Sequence, residues 1–269
     1  MRRFLYSCSL LLWFSFAEVS ATELTVVSSE KMPYNFKRDG QIVGMSVDIV
    51  HALLPQNPPL PIEIMPWPRA FETALKTPEV LIFTLGKTKQ RQQQGFVYIG
   101  PLSTRNHALY AKDASFKPLT SLADIQHRRL VVVGLRGGWL SAELRQQGID
   151  VQEVGDYQQA LQMLLHGRAH LWLSNDLEVG LHLKQAGHQQ PLTVALPLRC
   201  SENYLALSPG TSAATIQKIK TAYRKWSQSA APAKLAAHWQ QQLELPVRFF
   251  PQHGFVSGVA PAKKCPDQG

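Results

Sequence analysis

The sequence has few cysteines, fewer acidic than basic residues, and no long hydrophobic run beyond its N-terminus. It contains 3 Cys, and 19 Asp and Glu stand against 28 Lys and Arg. The G-x-S-x-G, H-E-x-x-H and P-loop patterns are all missing, and the cysteine spacing excludes the usual cysteine-based zinc sites. We therefore expect no catalytic residue, no metal site and no cofactor.

The N-terminus has the pattern of a signal peptide. Arg2 and Arg3 precede an apolar run, Leu10 to Phe16, which ends at Val19-Ser-Ala21. This run is far shorter than the roughly 18 to 20 apolar residues that a membrane span needs. We expect cleavage near Ala21 and a mature chain that begins at Thr22.

Two cysteines, Cys200 and Cys265, remain after that cleavage, because Cys8 lies within the removed segment. In an oxidising compartment two cysteines more plausibly pair than stay free. A disulfide would join the C-terminal tail to the body, but the sequence does not show that the two residues can meet. A pair and two free thiols both remain open.

The chain is basic, with a formal net charge of +9. Removing Arg2, Arg3 and Glu18 leaves +8. The basic residues are dispersed and no nucleic-acid recognition motif is present, which argues against a nucleic-acid partner. The charge predicts solubility and weak attraction to anionic surfaces.

Short apolar runs alternate with helical patterns in two successive stretches of the chain. This order predicts a mostly parallel sheet covered by helices in each stretch. The extended segments 97–112 and 203–208 interrupt the alternation and are predicted crossovers between two lobes. The resulting boundaries are a first lobe at 22–104, a second lobe at 105–206, and return helices with a tail at 207–269. The tail after Pro246 is rich in Gly and Pro, and we expect it to be irregular.

Several blocks of the first lobe carry recognisable patterns. Segment 30–50 contains a Pro-Tyr pair, a turn with Gly, and the run Gly-Met-Ser-Val-Asp. Two further blocks are Pro66-Trp-Pro-Arg-Ala70, and Thr84-Leu-Gly-Lys-Thr-Lys-Gln-Arg91 running into Phe96. In order and spacing they resemble the extracellular solute-binding proteins of family 3, the periplasmic binding proteins of amino-acid ABC transporters.

The second lobe continues the resemblance. Leu122-Ala-Asp with Arg129-Leu-Val-Val-Val, Gly137-Gly-Trp139, and Gly167-Arg-Ala-His-Leu-Trp-Leu-Ser-Asn-Asp176 match further blocks of the family. The similarity covers roughly Leu24 to Trp239. It implies an α/β fold of the periplasmic binding protein type II, with two lobes joined by two crossover strands, and a periplasmic location.

The resemblance also implies a ligand site on the first lobe. Arg91 matches the arginine that holds the ligand's α-carboxylate, and a guanidinium presents a fork that fits a carboxylate. Thr84 and Gly86 match positions that contact the ligand through a hydroxyl or the backbone. From the residues alone, a solvated charge in the polar run 87–94 is the favoured interpretation of Arg91.

Other candidates follow the ends of the first strands, where open α/β sheets bind ligands. Glu30 is a candidate acceptor for a ligand amine, or else a surface residue of the loop. Tyr34 is a candidate stacking wall, or else packs on the following helix. Trp67 and Arg69 are candidates to line the cleft, whereas Asp48, inside a helical pattern, is predicted to be structural.

The second lobe departs from the amino-acid pattern. Asn175 stands where the family has an Asp that receives the ligand's ammonium, so amine specificity is in doubt. Gly137, Gly138 and Trp139 are expected to face the ligand at the start of a helix, with core packing of Trp139 as the alternative.

The sequence thus predicts a monomeric binding protein that closes around a small, carboxylate-bearing solute such as an amino acid. An inner-membrane ABC permease is the implied partner. Two alternatives stay open. One is a sensor or accessory protein without a transporter. The other is an enzyme like the periplasmic cyclohexadienyl dehydratases, with Glu30 or a histidine as acid or base.

Overall fold

The computed structural model describes residues 24–258, 260 and 265–267. The predicted signal peptide lies outside the described residues. No helix in the described part of the chain is long and apolar enough to cross a membrane.

The first half alternates strands and helices as the sequence predicts. Its elements are β1 (Thr25–Ser28), β2 (Phe36–Arg38), β3 (Gln41–Val43), α1 (Met45–Leu53), β4 (Ile62–Ile64), α2 (Trp67–Lys76), β5 (Val80–Gly86) and α3 (Lys89–Gln93). Strands β4, β1 and β5 are parallel neighbours, whereas β2 and β3 form a separate hairpin.

The second half repeats the alternation after a long strand, β6 (Val97–Ala111). It contains α4 (Ala123–His127), β7 (Val132–Leu135), α5 (Trp139–Gln146), β8 (Val151–Val154), α6 (Tyr157–Leu165), β9 (Leu171–Asn175) and α7 (Asp176–Gln185). The chain then returns through β10 (Thr193–Leu207) to α8 (Ala213–Ser227) and α9 (Ala231–Leu243). The second crossover therefore begins at Thr193, earlier than the predicted residue 203.

One sheet connects the two halves, in the order β4-β1-β5-β10-β6-β9-β7-β8. Strands β6 and β10 pair antiparallel from Thr193↔Ala111 to Leu207↔Val97 and form what we call the hinge ribbon. The predicted boundary between residues 104 and 105 falls inside this ribbon. Apolar clusters cover both faces of the sheet in each half, as expected for a sheet with helices on either side.

The tail forms a β-hairpin, so the expectation of an irregular tail is wrong. Strands β11 (Val247–Phe250) and β12 (Gly254–Ser257) pair antiparallel, and β12 also pairs with β6 through Phe255↔Ser103. A Cβ on Gly254 would lie 2.2 Å from the Leu102 carbonyl carbon, and only glycine permits this approach. The stabilising partner, β6, is remote in sequence, which hides the hairpin from a local pattern.

The two cysteines form a disulfide, Cys200–Cys265, with the Cα atoms 5.3 Å apart. Cys200 lies in the hinge ribbon opposite Asn106. The pairing favoured from the compartment argument is thus confirmed, and the C-terminal end of the chain is fixed to the ribbon. Asp267 then reaches the first half, where it contacts Lys87 and Gln92.

Candidate functional site

The loop after β1 is held on the N-terminus of α1. The backbone N–H groups of Met45 and Ser46 donate to the carbonyls of Pro33 and Tyr34, at 3.1 and 2.8 Å. Gly44 has φ 140°, and a Cβ there would lie 2.2 Å from the Tyr34 carbonyl oxygen. The Pro-Tyr pair and the following glycine therefore act together to place Tyr34 beside the end of β1.

A buried polar network joins this loop to the end of β5. The Thr84 hydroxyl donates to Asn35 Oδ1 at 2.5 Å, and Asn35 Nδ2 donates to Ser28 Oγ at 3.1 Å. Thr84 has φ 58°, a left-handed conformation that is strained for a β-branched residue. In this structure the Thr84 hydroxyl thus fixes the loop, and the strain lies at the strand end where ligands bind in open α/β sheets.

Arg91 is held in one orientation by the first half. Its Nη1 donates to the Gly86 carbonyl at 2.7 Å, and its guanidinium lies 5.3 and 5.2 Å from the ring centres of Trp67 and Phe71. Its backbone N–H donates to Thr88, the N-cap of α3. The remaining N–H groups of the guanidinium have no carboxylate partner among the described residues. We call Trp67, Phe71, Gly86 and Arg91 the first-lobe wall.

Two predicted site residues of the first half lie at the protein surface. Arg69 is exposed on α2. Glu30 is also exposed, and its carboxylate accepts a long hydrogen bond from the Lys37 backbone N–H at 3.4 Å. Asp48 accepts a hydrogen bond from Trp239 Nε1 at 2.7 Å, which links α1 to α9 and confirms its structural role.

The second half contributes the start of α5. Gly138 is the N-cap of this helix and Trp139 is its first residue, partly buried. The Trp139 ring lies 5.4 Å from the His107 ring, edge to face, and the Arg199 guanidinium lies 4.4 Å from its centre. Trp139 therefore packs against the hinge ribbon as well as against the second-half core.

Asn175 lies at the end of β9, opposite His107 of the hinge ribbon. It is buried, and its Oδ1 accepts a hydrogen bond at 3.2 Å from the backbone N–H of Glu178. It is therefore the N-cap of α7. Glu178 is buried on the same helix, with a carboxylate oxygen 3.6 Å from His182 Nε2.

Helix α7 also joins the two halves. Leu177 and Leu181 belong to the apolar cluster of the first half, and a Cβ on Gly180 would lie 2.6 Å from the Leu245 side chain. Lys184 forms an ion pair with Glu244 at 3.0 Å. The halves thus contact each other on one side of the hinge ribbon.

The hinge ribbon itself carries polar residues that sequence reasoning missed. Arg105 is 5% exposed; its Nη2 donates to Asn203 Oδ1 at 3.3 Å, and its guanidinium lies 6.0 Å from the Tyr34 ring centre. His107 Nε2 lies 2.7 Å from Ser201 Oγ. A signal was present in the sequence, because Ser103–His107 are five consecutive polar residues inside an otherwise apolar crossover.

Lys31, also missed, brings a second positive charge to the ribbon. Burial, together with the nearby Arg105 and Arg91, lowers the pKa of Lys31 to about 7, while Glu178 acts in the opposite direction. Burial, together with Arg105, Lys31 and Arg199, lowers the pKa of His107 well below its usual value. Lys31 and Arg105 thus bring positive charge to the ribbon, and Glu178 and Asp176 bring negative charge to the same neighbourhood.

The arrangement suits the binding of a small anion rather than a metal. Among residues 24–258, 260 and 265–267, no group of three His, Cys, Asp or Glu could hold a metal ion. Arg91 lies against Trp67 and Phe71 instead, and Arg105 lies against Tyr34. Such groups recognise carboxylates and flat or apolar parts of a small molecule.

The sequence matches no protein-family model, and no curated protein is similar to it in sequence. The structure, however, is similar to many solved structures. A histidine kinase sensor domain with similarity to periplasmic binding proteins is 16% identical with a TM-score of 0.65, covering 81% of this chain and 96% of the other. A mutant of ArgBP from T. maritima is 18% identical, with a TM-score of 0.63 and coverages of 81% and 95%.

A third similar structure is the L-cystine solute receptor of Neisseria gonorrhoeae in the unliganded open conformation. It is 19% identical, with a TM-score of 0.58, and the match covers 80% of this chain and 91% of the receptor. These similarities establish the fold. The chain has the mixed α/β fold of the type II periplasmic binding proteins, as the sequence predicts.

Proposed function

We propose that this chain is a periplasmic solute-binding protein related to family 3, which closes around a small carboxylate-bearing ligand and delivers it to an ABC permease. The observation that carries the proposal is the Arg91 guanidinium, which Gly86, Trp67 and Phe71 hold in place without a carboxylate partner among the described residues, in a binding-protein fold. The names of several similar structures support it, since they describe amino-acid-binding or solute-receptor proteins.

Binding in this fold works through a hinge. One half holds the ligand first, and the other half completes its hydrogen bonds and excludes water. The ligand shifts the population only as far as its affinity for the closed form exceeds that for the open form. Here the hinge ribbon would bend, and Leu177 and Leu181 of α7 would leave or join the first-half cluster.

We also propose that the protein performs no chemistry on its ligand. Glu30, the candidate acid, is exposed and accepts a backbone hydrogen bond, and burial keeps His107 neutral. The dehydratase alternative retains one supporting observation, the similarity to an ancestral amino-acid-binding protein described as a precursor of cyclohexadienyl dehydratase, at 17% identity and a TM-score of 0.61.

A ligand panel tests the proposal. The mature protein is heated with amino acids, dicarboxylates, other small carboxylates, prephenate and arogenate. One chemical class should raise Tm by about 5–10 °C at 100 times its Kd, because a ligand that binds only the folded state stabilises it. Calorimetry then gives the Kd. The absence of any shift or heat across the panel would contradict the proposal, and turnover of prephenate or arogenate would favour the enzyme.

Ligand sensing without transport is the second candidate. It is favoured by the similarity to the histidine kinase sensor domain. Deleting the gene separates the two: loss of uptake of the identified ligand supports transport, whereas unchanged uptake with a lost transcriptional response to that ligand supports sensing.

A further inference from the structure

We propose that Arg105 and Lys31 form an anion-binding pocket at the hinge, so that the ligand carries a second anionic group and belongs to the small dicarboxylates. We call Lys31, Tyr34 and Arg105 the hinge pocket. The inference rests on the proposed function, because it names the ligand class of the same site. It goes further in assigning the specificity to Arg105 of the ribbon together with the loop that carries Lys31 and Tyr34.

Arg105 is a buried cation with unused hydrogen-bonding capacity. Its Nε is buried and has no hydrogen-bond partner among the described residues, and within this part of the chain its side chain donates one hydrogen bond, to Asn203, a neutral amide. Burying a guanidinium with a donor left unpaired is costly, and buried polar groups in proteins are normally hydrogen-bonded. A carboxylate that enters from solvent would supply both the charge and the acceptors.

The nearby acidic residues are already engaged. Asp176 accepts hydrogen bonds from the Asn106 side chain at 2.8 Å and from the Leu177 backbone at 2.9 Å. Glu178 lies 3.6 Å from His182 Nε2 on its own helix. Neither carboxylate forms an ion pair with Arg105 within the described part of the chain, but the Arg105 charge is near enough to Asp176 to act against the rise in its pKa.

Lys31 adds a second cation from the first-half loop. It lies in the loop between β1 and β2 that also carries Tyr34, over whose ring Arg105 is placed. Arg105 and Arg91 both act on its pKa, so the ammonium is within electrostatic reach of both guanidinium groups. An anion between Lys31 and Arg105 would relieve their mutual repulsion.

The hinge pocket is separate from the first-lobe wall. Arg91 is fixed by Trp67, Phe71 and the Gly86 carbonyl, whereas Arg105 is fixed by Tyr34 and Asn203. Each guanidinium can therefore bind one carboxylate through a pair of parallel hydrogen bonds. A ligand with two carboxylates would engage both, and a ligand with one would leave Arg105 unpaired.

The test compares each dicarboxylate with its own monoamide, because the two differ in charge and hardly in shape. The pairs are glutamate with glutamine, aspartate with asparagine, and succinate with succinamate. Calorimetry on the wild-type protein should give about tenfold tighter binding of the dicarboxylate in at least one pair. The variant Arg105→Gln should reduce that preference to less than about twofold and leave the monoamide's affinity unchanged.

Arg168→Gln is the matched control, since it removes one positive charge from an exposed position. It should keep the full preference. If Arg105→Gln does not fold, Lys31→Gln, at a partly exposed position, should reduce the preference by at least about threefold.

The outcomes separate the two proposals. Binding of monoamides with no preference for dicarboxylates would overturn the hinge pocket and leave the proposed function intact. A folded Arg105→Gln variant, or a Lys31→Gln variant, that keeps the full preference would overturn it as well. Absence of binding by every compound would contradict the proposed function itself.

Discussion

The first-lobe wall and the hinge pocket hold their cations in different ways. In the wall, Arg91 belongs to a short helix, α3, and its contacts come from residues 67–86, all close in sequence. In the hinge pocket, Arg105 sits in a long strand and contacts Tyr34 and Asn203, which are remote in sequence on either side. One site is built locally and the other by long-range pairing.

This difference has consequences for hinge motion. In the proposed closure the wall would move as one body with the first half, because its contacts stay within that half. The hinge pocket combines the first-half loop with both strands of the ribbon, so bending of the ribbon changes its geometry. We therefore expect the wall to supply affinity in both the open and the closed form, and the hinge pocket to favour closure.

The largest expected effect is on the wall. Arg91→Gln should weaken binding of any carboxylate ligand by about a hundredfold, because a charged fork that meets a carboxylate is replaced by a neutral amide. Calorimetry with the ligand found in the panel measures the loss. Circular dichroism at increasing temperature shows whether the variant is still folded.

Arg69→Gln is the matched control on the neighbouring helix, because Arg69 is exposed. The affinity of the Arg69→Gln variant for the ligand should stay within about twofold of the wild-type value. Equal losses in both variants would mean that only net charge matters. An unchanged affinity of Arg91→Gln would remove Arg91 from the site and leave the hinge pocket as the principal anion site.

The fold could be predicted from sequence because its signals are local. The alternation of β-branched runs with helical patterns gave both halves and the first crossover nearly to the residue. The prediction failed where partners are remote. The hairpin of β11 and β12 depends on pairing with β6, and the start of β10 is obscured by Pro197.

The candidate site was only partly predictable. Arg91 was found because it lies in a motif with Thr84 and Gly86, and the structure does bring Arg91 and Gly86 into contact. Arg105 and Lys31 lie in no such motif, and only the tertiary structure shows that Tyr34 connects them. Glu30 illustrates the reverse case, since a residue at a favourable strand end is exposed at the surface.

The next largest expected effect is a dependence of ligand affinity on pH, which tests the role of Lys31 in the hinge pocket. The pKa of Lys31 is lowered to about 7 without ligand, so an anion that binds beside it raises this pKa and takes up a proton. Affinity should therefore fall between pH 6 and pH 8, by at most about tenfold for one proton. Calorimetry in buffers of different ionisation enthalpy measures the proton uptake at pH 8.

Lys31→Met should remove the part of this pH dependence that Lys31 causes. Asp176 also titrates in this range, because burial raises its pKa to about 6, and Asp176→Asn shows its share. A wild-type affinity that stays constant from pH 6 to pH 8 would contradict a role of Lys31 in holding the anion.

The smallest expected effect on ligand affinity is that of substitutions at Asn175, which test whether the second half contributes to recognition as the first-lobe wall does. Its Oδ1 caps α7, so Asn175→Ala should lower the free energy of unfolding by about 1 kcal/mol, and Asn175→Ser, which keeps a capping oxygen, should restore most of it. Thermal unfolding measures both. Because the capping oxygen is already engaged, we expect ligand affinity to change less than about twofold in either variant. A stable Asn175→Ser variant with a large loss of affinity would instead show that the amide contacts the ligand directly, and would give the second half the same role in recognition as the first-lobe wall.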